Sequence, residues 1–249
     1  MALPGAEVFE RAGLKAWPGI EVEWDGGWVR RAAGGYTQRA NSVQSLNPAD
    51  QDDAEARIAK SVAWFRARDL RPIFRVTPLA GPRVVIALDA AGWQSVDHSQ
   101  MWAMELGAVE TDLSDSIYDL LDPAFVQAQQ KLQGYTEERT ARMRALLEVV
   151  ESPGKGIVVY SEEGEPVASA LMVVADGIVI TGNVVTGAAH RRMGYGAAMM
   201  RCGLAWARSA GATIAALNVA SDNGAAQALY RGLGYSRQYD YIYRLPETG

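Results

Sequence analysis

The hexapeptide Arg191-Arg192-Met193-Gly194-Tyr195-Gly196 constrains this chain more than any other stretch, because it lies between a segment that reads as a strand and one that reads as a helix. Upstream, Gly177 to Val185 is rich in β-branched Ile, Val and Thr; downstream, Ala197 to Ser209 is built largely of Ala, Met, Leu and Arg with no proline. The hexapeptide is therefore the turn into a helix. A helix N-terminus presents unpaired N–H groups and the positive end of the macrodipole, so an arriving phosphate finds several donors already aimed at it. Gly194 and Gly196 carry no Cβ to bar a close approach. The cations Arg191 and Arg192, next to His190, are out of place at the positive end of a helix unless an anion meets them. Taken alone, the glycine pair is also what an ordinary helix start requires.

The residues downstream of this helix add specificity. Ala212 to Val219 reads as the next strand and runs into Ser221-Asp222-Asn223; Gly224 to Tyr230 then reads as a short helix closing at Leu233-Gly234-Tyr235. Arg191-x-x-Gly194-x-Gly196, followed by Asn223, Tyr230 and Leu233-Gly234-Tyr235 in that order, resembles the acetyl-coenzyme A signature of the GNAT superfamily of N-acetyltransferases. The resemblance covers about the last half of the chain. It implies an α/β (α+β) fold with a mixed, mostly antiparallel sheet flanked by helices. It also implies acetyl-CoA as cosubstrate, held by Asn183, Val184 and Val185 on the strand, by Arg191, Arg192, Met193, Gly194, Tyr195, Gly196 and Ala197 at the helix mouth, and by Asn223.

Acyl transfer to an amine requires that the amine lose its proton, attack the thioester carbonyl and expel a thiolate that takes up a proton. The resemblance gives Tyr230 the last task, as the catalytic residue: a phenol of pKa ~10 protonates a thiolate of pKa ~8.5 only when held within hydrogen-bond reach. A core aromatic with a satisfied hydroxyl is the plainer reading of Tyr230, and helix capping alone explains an asparagine at 223. Two departures from the family pattern stand out. Gly177 to Val185 contains no glutamate to act as general base, leaving Asp176, Asn183 or an ordered water, and Gly187 stands where proline is common. The base is unassigned.

Composition agrees with this reading. The 249 residues, 49% hydrophobic and 21% charged, suffice for one large or two modest domains. A formal net charge of −5 with no basic stripe argues against a nucleic-acid partner and suits a cationic amine. No apolar run approaches the length of a membrane span, and the start has no basic region before an apolar stretch, which predicts a cytoplasmic protein; whether it is a monomer or a homodimer is left open. One cysteine, Cys202, and two histidines, His98 and His190, predict no disulfide framework and no metal site. Cys202 reads as a buried core thiol.

The first half reads as a helix from Ala6 to Trp17, strands at 27–32 and 40–46, a helix from Asp52 to Arg68, a strand at 72–76, a helix at 83–91 and a strand at 96–106. That order matches the second half. Leu88-Asp89-Ala90-Ala91-Gly92-Trp93 lies over Tyr230-Arg231-Gly232-Leu233-Gly234-Tyr235, whereas Asp50-Gln51-Asp52-Asp53-Ala54-Glu55 replaces the Arg191 to Gly196 turn with carboxylates that repel a pyrophosphate. The expectation is a tandem arrangement: a degenerate GNAT-like domain at 1–112, joined through the acidic segment carrying Glu110, Asp112, Asp115 and Asp119 to an acetyl-CoA-binding domain at 113–249. Helices at 125–133 and 136–150, with Tyr135 and Glu138, would flank the acceptor groove or simply pack. Trp28, Tyr36 and Trp102 are candidates for the groove or, more simply, for the core. A hairpin is expected at 156–174 with Glu163-Gly164 at its turn. The alternative to an enzyme is a non-catalytic acyl-CoA-binding sensor or interaction module.

Overall fold

The computed structural model of the chain describes residues 2–109 and 116–247. The first half runs α1 (Ala6–Ala16), β1 (Glu21–Asp25), β2 (Trp28–Ala32), a 3-10 turn at Gln38–Ala40, β3 (Val43–Ser45), α2 (Ala54–Arg66), β4 (Phe74–Val76), α3 (Pro82–Ala90) and β5 (Gln94–Glu105). The second begins with β6 (Ile117–Tyr118), α4 (Pro123–Gln133), α5 (Glu137–Glu148), β7 (Gly154–Tyr160) and β8 (Pro166–Ala175). It continues through β9 (Ile178–Thr186), a 3-10 turn at Ala188–His190, α6 (Tyr195–Ser209), β10 (Ile214–Ala220), α7 (Gly224–Gly232) and β11 (Ser236–Leu245). The acids Glu110, Asp112 and Asp115, and the boundary expected between 112 and 113, lie outside the described residues; Asp119 pairs with Lys155.

Both halves contribute to one 11-stranded sheet in the order β1, β2, β3, β4, β11, β5, β10, β9, β8, β7, β6. Among the described residues only β3 with β4 and β9 with β10 pair in parallel, so the sheet is mixed and mostly antiparallel, with helices on both faces. The order β3, α2, β4, α3, β5 recurs as β9, α6, β10, α7, β11, and the two last strands are exchanged. The strand β5 lies between β10 and β11, and β11 lies between β4 and β5. The helix α1 also crosses over, packing on β8 and β9 with Lys15 paired to Asp176 at 2.7 Å. The two interior helix ends close alike: Trp93 N–H donates to Leu88 O at 3.0 Å, Tyr235 N–H to Tyr230 O at 3.0 Å, and Gly92 and Gly234 take φ of +72° and +98°.

Alternation along the central strands builds the two layers. On β8, Leu171, Val173 and Ala175 face α1, α4 and α5 through Phe9, Phe125, Met143 and Leu146, whereas Ala170, Met172 and Val174 face α6 through Met199, Met200, Cys202 and Leu204. A strand covered on both faces has no polar side, which is why 170–175 reads as a continuous apolar run, and the one buried hydroxyl before it, Ser169, is hydrogen-bonded to Gln129 and the Ile157 carbonyl. Each of the larger side chains among these contributes ~1.5–3 kcal/mol relative to exposure. A third cluster joins Trp28, Phe65, Phe74, Val84 and Leu88 beneath α2 and α3. Trp28, Tyr36 and Trp102 are buried, and burial pushes the Cys202 thiol up to about 11.

Three differences from expectation have local causes. The edge strand β1 was hidden because Glu23 and Asp25 turn toward the fully buried Arg30 (2.9 and 2.6 Å) while Val22 and Trp24 stay 48% and 52% exposed, the reverse of the usual pattern. The strand expected over 40–46 shortens to β3, because residues 38–40 form a 3-10 turn whose first hydrogen bond is taken by Thr37 Oγ1. The two-residue β6 is too short to carry any periodicity.

Candidate active site

The parallel pairing of β9 and β10 runs from Ile178 opposite Ile214 to Thr181 opposite Leu217 and stops there. Beyond it, Gly182 to Thr186 follow β8 and Asn218 to Ala220 follow β5, so a gap opens between two strand edges. The divergence coincides with a bulge on β9, where the register against β8 shifts between Ser169 and Leu171 and Asn183 adopts φ +49°. Asparagine tolerates that left-handed conformation better than most residues. Its geometry is pinned on three sides: Gln129 Nε2 donates to the Asn183 carbonyl at 3.0 Å, Gln133 Nε2 at 3.5 Å, and Asn183 Nδ2 donates to the Tyr36 hydroxyl at 3.0 Å. The carbonyl of Asn183 is thus committed to α4, and the following residues Val184 and Val185 face the gap.

The strand leads through Gly187 and the 3-10 turn into α6. Gly194 is its N-cap, at φ +88° and without a side-chain cap, and among the described residues the one cap bond is Ala198 N–H to Gly194 O at 3.0 Å. No acceptor among the described residues takes the N–H of Tyr195, Gly196 or Ala197, so this mouth offers free donors beside Arg191 and Arg192. The two glycines are required for different reasons. Open space surrounds the missing Cβ of Gly194, whose requirement is the left-handed φ; a Cβ on Gly196 would lie 3.2 Å from Thr186 Oγ1 and 3.5 Å from Leu229 Cδ2, so its requirement is close packing of α6 on β9 and α7.

Gap and mouth share one groove of 1260 Å³. Of the residues singled out from sequence, Asn183, Val184, Val185, Arg191, Arg192, Gly194, Gly196, Ala197, Asn223 and Tyr230 all line it. Met193 and Tyr195 do not: Met193 points to solvent at 61% exposure, and Tyr195 packs over the α6 core beside His190. Asn223 caps α7, its Oδ1 accepting from Ala226 N–H at 3.1 Å. Tyr230 is 4% exposed and tilts against Tyr235 at 5.9 Å; its hydroxyl has no hydrogen-bond partner among the described residues, and burial pushes its pKa up to about 12. The phenol is therefore protonated and free to donate.

The opposite wall comes from the first half, but not through Trp28, Tyr36 or Trp102, the candidates the sequence offered for the groove. Thr37, Gln38, Arg39, Asp97 and His98 line the groove, carried there by the 3-10 turn and by β5 where it runs between β10 and β11. Asp97 adopts φ +49° and accepts from Gln38 Nε2 at 2.7 Å. Tyr135 packs edge-on to Tyr36 under Arg139, and Glu138 pairs with Arg142 on the surface, so neither lines the groove. No helix among the described residues is long and apolar enough to cross a membrane.

Comparison with known proteins agrees with this geometry. A family model described as "Probable histone acetyltransferase Rv0428c C-terminal" matches residues 7–244. The uncharacterized N-acetyltransferase YobR of Bacillus subtilis is 25% identical over 242 residues, 95% of this chain and 96% of YobR. Among solved structures, a GCN5-related N-acetyltransferase from Kribbella flavida matches with a TM-score of 0.73 at 20% identity, covering 100% of this chain and 98% of that one. A tandem GNAT protein from the clavulanic acid biosynthesis pathway matches at 0.62 and 12% identity, over 82% of this chain and 74% of its own. With a family match spanning nearly every residue and a sheet that parts beside a free helix mouth, the chain belongs to the GNAT superfamily of N-acetyltransferases, in the family of the Rv0428c C-terminal region.

Proposed function

We propose that the chain transfers acetyl from acetyl-coenzyme A to a primary amine by direct attack of the amine on the thioester. Acetyl-coenzyme A supplies the activated acyl group. The N–H groups at the mouth of α6, with Arg191 and Arg192, hold its diphosphate. The backbone of Val184 and Val185 receives the amide-bearing arm as an added strand in the gap, and Asn223 borders the arm from α7. Attack forms the C–N bond and breaks the C–S bond; Tyr230 gives its phenolic proton to the departing sulfur. The amine's proton passes to Asp97 on the rim, directly or through a water.

The carrying observation is the Tyr230 hydroxyl, unpaired within the described chain and lining the groove. A protein that only bound the cofactor would have no use for it. The test is thiol release from acetyl-coenzyme A over a panel of amines. Tyr230→Phe lowers kcat by ~100-fold or more while acetyl-coenzyme A binds nearly as before. Because burial holds the phenol protonated to about 12, the wild-type rate rises as the amine deprotonates and shows no falling limb below pH ~10. Tight binding without turnover of any amine would instead favour a non-catalytic acyl-coenzyme A sensor.

We also read the chain as a tandem of two GNAT-like units, 1–112 and 113–249. The recurring element order, the matching closures of α3 and α7, and the likeness to a solved tandem GNAT protein support that reading.

A further inference from the structure

Arg39 is a cation without a counterion. Its side chain donates no hydrogen bond and makes no ion pair among the described residues; Nε is buried and unpartnered, and the guanidinium lies against the Trp17 ring, 5.3 Å from its centroid. It stands at the start of the strand gap, where a Cβ on Gly182 would lie 3.6 Å from Arg39 Nη2. The surroundings increase the imbalance. Behind Arg39 lie Arg31 and Arg75, each 2% exposed, and the one buried carboxylate there, Glu10, is taken by Arg75, Gln44 and the Tyr239 hydroxyl. Arg31 settles for two neutral acceptors, the Trp17 carbonyl at 2.8 Å and Gln44 Oε1 at 3.3 Å. The groove's nearest first-half acid, Asp97, is exposed at the rim and held by Gln38.

Arg39 is part-buried and lines the groove, and an arginine fork with no carboxylate of its own matches planar or tetrahedral oxyanions. We propose that Arg39 anchors an anionic group of the acceptor, so that the amine acetylated in this groove also bears a carboxylate or a phosphate close to the reacting nitrogen. The inference rests on the acetyl-transfer reading for the place of that nitrogen, beside the gap that Gly182 opens. A guanidinium at this point also disfavours the ammonium form of the incoming amine, easing loss of its proton.

Product-type probes test the anchor without turnover. The protein, loaded with coenzyme A, is titrated calorimetrically with N-acetylglycine and N-acetyl-β-alanine for the carboxylate arm, N-acetylated phosphoethanolamine for the phosphate arm, and neutral N-acetylglycinamide. One anionic class binds ~10- to 100-fold tighter than the amide, as a charge-assisted pair allows, and which class does so identifies the anion. Arg39→Gln brings the ratio close to one, and Arg39→Lys recovers part of it, which separates charge from a folding defect. Equal affinity of acids and amide, a ratio that survives Arg39→Gln, or no binding of any anionic probe overturns the proposal. Thiol release with the corresponding free amines separates the two readings. Turnover of amines with no anion preference removes the anchor and leaves acetyl transfer standing. Arg39-dependent binding with no thiol release from any amine removes acetyl transfer and leaves the anchor.

Discussion

The mouths of α6 and α2 occupy matching places in the repeated element order, and their chemistry is opposite. At α6 the N-cap is Gly194 at φ +88°, the preceding residues are Arg191 and Arg192, and the first-turn amides face an open groove. At α2 the N-cap is Asp53, also left-handed at φ +53°, and the preceding loop folds inward upon itself. Asp50 accepts from Gly27 N–H at 2.6 Å and from Arg57 at 2.8 Å; Gln51 Oε1 accepts from Arg83 N–H at 2.9 Å; Asp52 pairs with Arg83 at 2.8 Å. Arg57, stacked 4.3 Å over Trp28, links this loop to the Asp25 carbonyl. The same left-handed turn is thus flanked at α6 by arginines that open on a groove, and at α2 by carboxylates that pair within their own loop. On the proposed function, loop chemistry, more than fold, is what divides a binding half from a structural one.

The sharpest way to break the comparison is Gly194→Val. A β-branched side chain cannot hold φ near +88°, so the turn into α6 is displaced and acetyl-coenzyme A affinity falls by ~100-fold or more, while the apolar side of α6 stays packed. Calorimetric titration measures both this loss and the wild-type stoichiometry, expected to be one site per chain. Two sites would make the latch at α2 an illusion.

A reciprocal pair of substitutions comes next. Arg191→Gln and Arg192→Gln each lower acetyl-coenzyme A affinity ~10-fold, the loss of a charge-assisted contact, and leave the denaturation midpoint almost unmoved. Arg57→Met does the reverse. It takes the guanidinium from Asp50, which keeps Gly27 N–H, and one of two arginines from Asp25, which keeps Arg30; with the stacking on Trp28 also lost, it costs about 2 kcal/mol of stability by urea unfolding, with cofactor affinity retained. Stability loss from the α6 arginines, or affinity loss from Arg57, would mean that the two mouths are not separable in function.

The difference between the mouths was visible in sequence because it is local. A glycine turn followed by a helix, and a carboxylate-rich turn at the matching place, are read within a dozen residues, and so are the closures at Trp93 and Tyr235. Arg39, Asp97 and His98 were not legible, because they reach the groove through pairing between distant strands: β5 meets β10 with Ser99 opposite Ala220, a partnership that no periodicity records. The pinning of Asn183 by Gln129 and Tyr36 was hidden for the same reason. Two glycines were recognised, but their separate causes, conformation at 194 and packing at 196, needed coordinates. The edge strand β1 escaped because its charged face looks inward at Arg30.

Acid should loosen the two mouths unequally. The hydrogen bonds from Arg57, working against partial burial and aided by Gly27 N–H, hold the Asp50 carboxyl below its ordinary value of 3.8. At Asp25 burial acts upward, yet the pairing with Arg30 and Arg57 prevails and its value is also lowered. A folded-state pKa below the unfolded one contributes stability that is complete above the unfolded value and is lost as pH falls through the folded one. Below pH ~4, therefore, amides around Gly27 and α2 should lose hydrogen-exchange protection before those of α6, whose mouth contains no such carboxylate. Simultaneous loss would mean that the ionic latch contributes nothing to the first half.

The smallest effect probes the latch from within. Asp53→Gly removes a left-handed non-glycine residue, a conformation that costs of order 1 kcal/mol, but widens the unfolded ensemble by a similar amount, so net stability should move by less than ~1 kcal/mol. If a glycine N-cap alone made a cradle, the variant would gain a second acetyl-coenzyme A site. It should not, because the carboxylates of Asp50 and Asp52, which repel a diphosphate, stay paired within the loop and are untouched by the substitution. Titration of Asp53→Gly at unchanged stoichiometry would place the difference between the halves in the loop's carboxylates and amide acceptors; a second site would place it in the single glycine.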